Sequence, residues 1–460
     1  MATDIRKTSV LVVVALLGVS GCASHTRKVA PTIQAYSAGE RILAAQEALE
    51  LQADHPAGDN DRLLYLLESG QILTVTGQID KARDVLDEAA AITRPYLDEK
   101  SEASVSQAAA ATLLNPTVTV YVGTSYDRVM LSTLQAMTSL QASDPARARV
   151  ELNQAALWQQ DAVLNNAGRI EKAQQEVASK NPSRSRAPSG VQAGLDEEYD
   201  SIQNLQGYSG YVNPYTEHLS GVFRLSLGTA ADAGKSVALF RRAADVLDGI
   251  AREAVLTDVA RAQHAASGRP VAPATYVYFL RGLAPKREQF KLRVPIPFRE
   301  NNQTRVIYIA AAFPKLVVRP DYGMTLAVEG AGESVEICNM DGIVAQTFKD
   351  QLPLVITQSL VSAAAKGAAQ YGLSKLGAAG NIAGILLTEI STSADLRSWE
   401  TLPKAIRYVR VDTPSDGRIV LTSPSGKEVT QVQVEPGRDN IVWITLPSSL
   451  ASPMVTKAVL

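Results

Sequence analysis

Residues 62–93 read RLLYLLESGQILTVTGQIDKARDVLDEAAAIT, and their spacing decides the fold of the first half of the chain. Leu66, Gly70, Leu73, Gly77, Ile79, Ala82, Leu86 and Ala89 stand at the intervals of two antiparallel helices joined by a tight turn. Small residues at Gly70, Ala82 and Ala89 let the two axes approach closely, and Leu73, Ile79 and Leu86 fill the space beside them. Gly77, which tolerates a positive φ, ends the first helix.

The same apolar period extends outward from this pair. Helical signal starts near Gly39 and continues to about Asp98, broken at His55-Pro56-Ala57-Gly58. A second unit runs from Tyr126 to about Asn166, with Leu131, Leu134, Ala136 and Leu140 on one helix and Ala148, Leu152, Ala155 and Ala156 on the next. Ser143-Asp144-Pro145 supplies its turn and a proline at the start of the following helix. Gly221, Leu225, Gly228, Phe240 and Ala243 give a third unit with extra residues in the turn at Thr229 to Ala233, and a further helix spans about Leu239 to His264. These intervals match the tetratricopeptide repeat, a helix-turn-helix unit about 34 residues long. Asn115 to Tyr121 interrupts the register as an extended excursion, and SKNPSRSRAPSG, residues 179–190, reads as a mobile loop.

From Ala274 the period changes to short β-branched and aromatic runs separated by Pro and Gly: Tyr276–Leu280, Arg305–Ala310, Lys315–Val318 and Met324–Val328, then Ile406–Val411, Arg418–Thr422, Glu428–Val434 and Ile441–Leu446. This pattern predicts antiparallel strands in a sandwich or small barrel. Between the two sets, the Ala- and Gly-rich residues 353–393 read as a helical hairpin broken near Gly377 to Gly380. The expected fold class is therefore α+β and multidomain: a helical repeat domain over 39–270 and a mainly antiparallel β domain over 274–460 carrying the hairpin as an insertion.

The N-terminal residues bear on location. Arg6 and Lys7, the apolar run Val10 to Gly18 and the small residues Val19-Ser20-Gly21 before Cys22 have the layout of an export signal too short to span a bilayer. Val-Ser-Gly-Cys resembles the lipobox of bacterial lipoproteins. The resemblance implies a signal peptide over 1–21, acylation of Cys22 and a lipidated tether over 22–38. Ala23 after the cysteine, where an inner-membrane retention signal has Asp, implies the outer membrane, facing the periplasm.

Composition fits a large body behind such an anchor: 460 residues, 46% hydrophobic, 20% charged, formal net charge -2. Near-neutrality argues against nucleic-acid binding, which needs a basic face. With Cys22 acylated, Cys338 has no intramolecular partner, so no disulfide framework is expected. His25, His55, His218 and His264 form no ligand motif with Cys338, and no Gly-x-Ser-x-Gly elbow is present. Gly-Lys-Ser at 234–236 lacks the upstream spacing and the preceding strand of a phosphate loop. No cofactor, metal or nucleotide is expected.

Asp395-Leu396-Arg397-Ser398-Trp399-Glu400-Thr401-Leu402-Pro403 places an acid, a base, an indole and a terminating proline in one turn. Arg397 and Trp399 read either as anchors of a recognition surface, or as a pair in which Asp395 neutralises Arg397 while Trp399 packs on the sheet; the second is favoured. In residues 353–393 long apolar runs are interrupted by Lys366, Gln370, Lys375 and Asn381, and a hairpin packed on the β domain is favoured over lipid insertion.

Tyr126-Asp127-Arg128-Val129-Met130, Asn213-Pro214-Tyr215, Gly282-Leu283-Ala284-Pro285 and the Asp395 to Pro403 stretch together resemble a largely uncharacterised family of bacterial outer-membrane lipoproteins with a tetratricopeptide-like N-terminal half. The resemblance implies no catalytic activity. It does imply a link to envelope assembly, because members are often encoded beside a lipoprotein similar to activators of peptidoglycan synthases.

The expectation is a lipid-anchored, periplasm-facing adaptor. Its repeats would leave a groove free for a protein partner, with Arg397, Trp399, Tyr126 and Arg128 as candidate binding residues. Two alternatives stand beside it: a subunit of a homo-oligomeric outer-membrane-associated assembly, and an enzyme acting on cell-wall glycan that uses carboxylates such as Glu217, Asp395 or Glu400 as general acid and base.

Overall fold

The computed structural model describes residues 25–97, 119–180, 187–300, 302–374 and 393–460. The chain is α+β. Ten helices among the described residues precede the first strand: α1 (His25–Ala38), α2 (Arg41–Ala53), α3 (Arg62–Val75), α4 (Ile79–Thr93), α5 (Ser125–Gln141), α6 (Pro145–Lys180), α7 (Ser189–Gln203), α8 (Pro214–Ser226), α9 (Ala230–Asp245) and α10 (Gly249–Ala266). Successive helices from α1 to α6 pack on one another, as do α8, α9 and α10, whereas α7 packs on the strands at residues 286–317. Gly77, with φ +76°, closes α3, and at Gly70 an added Cβ would strike the Leu86 side chain of α4. Gly221 of α8 lies as close to the Phe240 ring of α9.

Residues 25–38 are not a tether. They form α1, which buries Val29, Thr32, Ala35 and Tyr36 at helical spacing. Pro31 stands inside this helix and removes one backbone donor, a loss that the buried face outweighs. The loop expected over 179–190 is also shorter: α6 continues to Lys180, and α7 begins at Ser189. Leu239 to His264 is not one helix but parts of two, divided at 246–248 between α9 and α10.

The strands are β1 (Ala274–Arg281), β2 (Lys286–Glu300), β3 (Gln303–Val317), β4 (Ala327–Val328), β5 (Gly332–Glu333), β6 (Val335–Asn339), β7 (Ala405–Asp412), β8 (Arg418–Thr422), β9 (Glu428–Gln433), β10 (Asn440–Leu446) and β11 (Met454–Val459). They form a five-stranded sheet in the order β11-β10-β1-β7-β6, a four-stranded sheet β5-β4-β8-β9, and the two-stranded ribbon β2-β3. Pairing is antiparallel except for β1 with β10, which is parallel. Arg305–Ala310 and Lys315–Val317 belong to one long strand, β3, and β2, β5, β6 and β11 were not expected.

The five-stranded sheet is the middle of three layers. Tyr276, Tyr278, Ile406, Tyr408, Ile441 and Trp443 face the helices in one core, while Val277, Phe279, Val442 and Ile444 face Leu326, Ile419 and Leu421 of the smaller sheet in another. Strands covered on both sides read as continuous apolar runs, and β1 and β10 are buried at every position. The inner helices are enclosed too: every residue of α3 from Leu63 to Val75 is buried, as are those of α5 from Val129 to Leu140. Among the described residues, α3 and most of α5 therefore offer no open face to a partner. Trp443 of β10 donates to the Tyr215 hydroxyl of α8 at 2.9 Å, tying sheet to helices.

Helix α11 (Met340–Ser374) starts well before the expected Pro353 and carries that proline inside it. The break expected near Gly377 to Gly380, and the second half of that hairpin, lie outside the described residues.

Candidate functional site

The segment leading into β7, residues 393–404, has no regular secondary structure and crosses from the ribbon to the helices. Its backbone groups need partners, and α3 provides them. Glu68 follows the apolar run Leu63 to Leu67 in LLYLLESGQIL and is fully buried. Its carboxylate accepts the amides of Glu400 at 2.7 Å and Thr401 at 2.9 Å. Burial, and then the neighbouring Glu400 charge, push the Glu68 carboxyl up to about 8. Glu400 is itself ion-paired to Arg319, and beyond it Lys404 pairs with Asp341.

Arg397 closes the other end of the segment. Its guanidinium donates to both carboxylate oxygens of Asp395 (2.9 and 2.8 Å), to Asp61 at 3.1 Å and to the Thr119 carbonyl at 2.6 Å. It also sits 5.5 Å from the Tyr121 ring centre. Asp395 and Asp61 hold the Arg397 pKa above its ordinary value, and the Arg397 guanidinium in turn holds Asp395 below its own, each against the opposing effect of burial. Between these ties Trp399 is 0% exposed and donates to the Thr401 hydroxyl at 3.1 Å. Arg397 is 4% exposed. Neither residue is a surface anchor: both are consumed in fastening the segment to the helical layer.

Tyr126 and Arg128 are also turned inward. Tyr126 is buried, and Arg128 is half-buried over the Trp158 ring at 5.3 Å, donating to the Gly123 carbonyl at 3.0 Å and pairing with Asp161 at 3.8 Å. Beside them Asp127 accepts from the Thr124 amide and hydroxyl and from the Tyr121 hydroxyl, a cap that fixes the start of α5. Tyr126, Val129, Tyr208, Tyr211, Asn213 and Thr347 line a pocket of about 20 Å³, room for about one water.

A second polar cluster joins helices to sheet. His218 of α8, 0% exposed, bonds the Tyr278 hydroxyl through Nδ1 at 2.8 Å and Asp258 of α10 through Nε2 at 3.0 Å. Asp258 also accepts from the Tyr408 hydroxyl at 2.7 Å and from Arg410. The histidine, carboxylate and hydroxyls have the atoms of a proton relay, and with His218 and Asp258 both 0% exposed they tie α8 and α10 to the sheet. Sequence reasoning missed this cluster and Glu68; the available signal was a charged residue within an apolar helical run.

Each of the three candidate glycan-acting carboxylates has a partner of its own. Glu217 accepts from Gln159 at 2.9 Å and pairs with Arg242 at 3.2 Å, whereas Asp395 is held by Arg397 and Glu400 by Arg319. Cys338 is buried, and burial raises its thiol pKa. Among the described residues no group of three or more His, Cys, Asp or Glu is placed to hold a metal ion. Cys22 lies outside the described residues. Comparisons with protein-family models, with curated proteins and with solved structures found no match to this chain.

Proposed function

We propose that the protein is a lipid-anchored scaffold of the outer membrane, facing the periplasm and binding other proteins of a cell-envelope complex, with a role near peptidoglycan synthesis. The helical pairs α3–α4, α5–α6 and α8–α9 are read as tetratricopeptide-like units that have turned their inner face onto the chain's own sheet. The observation that carries the reading is the use of the polar clusters: Glu68, Arg397, His218 and Asp258 are spent in binding one layer to the next, leaving outer surfaces on an anchored body. The role is non-enzymatic, and it uses no cofactor, nucleotide or nucleic acid.

The test is crosslinking in cells followed by mass spectrometry, on the native chain and on Cys22→Ser. An envelope protein captured by the native chain and lost with Cys22→Ser is the expected result. Self-crosslinks alone would sink the adaptor reading in favour of a homo-oligomeric assembly. One feature favours that second reading. Among the described residues the ribbon has two strands; Pro295 and Pro297 deprive β2 of two donors, but no proline interrupts β3 from Gln303 to Phe313, leaving the backbone of that strand chemically able to accept another.

A further inference from the structure

The antiparallel helices give their layer two ends. At one end the start of α1 meets the exit of α2 and the start of α3: the His25 and Tyr65 rings lie 5.2 Å apart, and His55 stacks on Tyr65 at 4.0 Å. The approach to α5 joins the same end, since the Tyr121 amide donates to the Asn60 carbonyl at 2.7 Å. At the opposite end Arg41 donates to the Thr76 carbonyl at 2.8 Å, Arg83 pairs with Asp144 at 3.5 Å, and Ser448 donates to the Ser37 carbonyl at 2.6 Å.

Three elements continue past the His25 end. Helix α6 returns to it at Asn166, which accepts from Ser125 at 3.3 Å and donates to the Tyr211 hydroxyl at 3.2 Å. At 1.5 Å per residue, α6 then extends about 21 Å farther, to Lys180. Tyr211 donates to Asp350 of α11 at 2.7 Å, and Gln174 reaches Thr357 at 3.3 Å, so α11 runs the same way as α6. From Asp350 to Ser374 it covers about 36 Å. The ribbon accompanies it: Arg287 lies over the Phe348 ring at 5.3 Å, and Gly367 lies against Ile296, Ile307 and Ile309. From Arg287 to Glu300, β2 advances about 43 Å.

The anchor leaves from this end as well. Cys22 precedes His25 by three residues, which span at most about 11 Å, and His25 is 6% exposed in the packed start of α1. An acyl chain on Cys22 therefore draws this end of the body onto the bilayer, and the projecting arm, about 40 Å long, ends at the polar pair Glu300 and Gln303, which suits it to lie along the headgroups rather than to enter the hydrocarbon. On the side of the ribbon away from α11, Val306 is 49% and Tyr308 67% exposed, with Pro297 and Arg293 beside them on β2. An aromatic ring, aliphatic groups and a long cation suit the boundary between headgroups and acyl chains. No helix among the described residues is long and apolar enough to cross a membrane, so the fit is to contact through the ribbon.

We propose that the arm formed by β2–β3, α11 and the end of α6 is a membrane-contacting element, the exposed face of its ribbon that carries Val306 and Tyr308 lying against the surface of the bilayer that holds acylated Cys22. This rests on the lipoprotein reading above. The test uses the full chain purified from membranes and reconstituted in phosphatidylethanolamine–phosphatidylglycerol vesicles carrying a nitroxide-labelled lipid. Tyr308→Cys and, at the opposite end, Leu450→Cys carry a polarity-sensitive fluorophore; both sites are exposed, and Cys338 is buried out of reach. The expected result is several-fold stronger quenching by the lipid nitroxide at 308 than at 450, lost when Cys22→Ser leaves the chain in solution. Equal weak quenching at both sites, in a chain whose N-terminal peptide mass shows acylation, would overturn the arm's role and leave the lipoprotein reading standing. An N-terminal peptide without acyl groups would overturn both.

Discussion

Replacing Arg397 by alanine would leave Asp395 and Asp61 with no cation between them. Breaking a buried pair from one side costs about 3–5 kcal/mol, so Arg397→Ala is expected to lower the unfolding midpoint sharply, and Arg397→Lys, which cannot bridge three acceptors with one planar fork, to recover only part. His25 and Glu68 set opposing pH trends. Burial, then the charge of Arg397, lowers His25 from 6.5 to about 3. Its contribution to stability is therefore complete above the ordinary value and declines as pH falls toward the folded one, at roughly 1.4 kcal/mol per pH unit. Glu68 moves the other way, from 4.5 to about 8, so its contribution is complete below the lower value and is lost as pH rises to the higher. Thermal melts across the pH range are expected to flatten on the acid side in His25→Phe, which leaves no buried ring nitrogen. They are expected to flatten on the alkaline side in Glu68→Gln, at a cost of about 1–3 kcal/mol for the amide left without its acceptor. An unchanged acid limb in His25→Phe would sink the first assignment. That Arg397 pairs with Asp395 was legible from their two-residue spacing, but that Glu68 receives the amides of Glu400 and Thr401 was not, because no local pattern connects positions so far apart in the chain.

At the scale of elements, close helix approach was the most readable property. Gly70 and Gly221 stand where an added Cβ would strike Leu86 and Phe240. Gly221→Ala is expected to destabilise by about 1–3 kcal/mol through overpacking, and Phe240→Leu in the same chain to recover part of it; equal melting of Gly221→Ala and the native chain would show that α9 yields freely. Strands β1 and β10 were visible as apolar runs because both of their faces are covered. Strand β2 was hidden by Lys291, Arg293, Pro295 and Pro297, which sit on its uncovered face while Val294 and Ile296 are buried. Helix α1 was hidden by Pro31, where tertiary burial of Val29 and Tyr36 overrode a local helix breaker. The turn at residues 246–248 escaped because the residues on both sides keep a helical period.

At the scale of the whole molecule, helices and sheet share one apolar core, although the change of sequence period near Ala274 suggests two independent domains. Far-UV circular dichroism and tryptophan fluorescence are therefore expected to report one coincident unfolding transition. Residues 25–270 expressed alone are expected to aggregate or stay molten, with Tyr215 and Phe223 stripped of cover; a cooperative melt of that fragment would refute the shared core. The period change marks a change of secondary structure, and sequence offers no sign of which surfaces then close on each other. The order β11-β10-β1-β7-β6 also governs timing. Strand β1 waits at the centre of its sheet for β7 and for β10, which begins only at Asn440, so the middle layer is unfinished until nearly the whole chain has been delivered. A polypeptide emerging from a ribosome or threading through a narrow export channel stays loose under that schedule, and it becomes rigid only on the side where its last strands arrive.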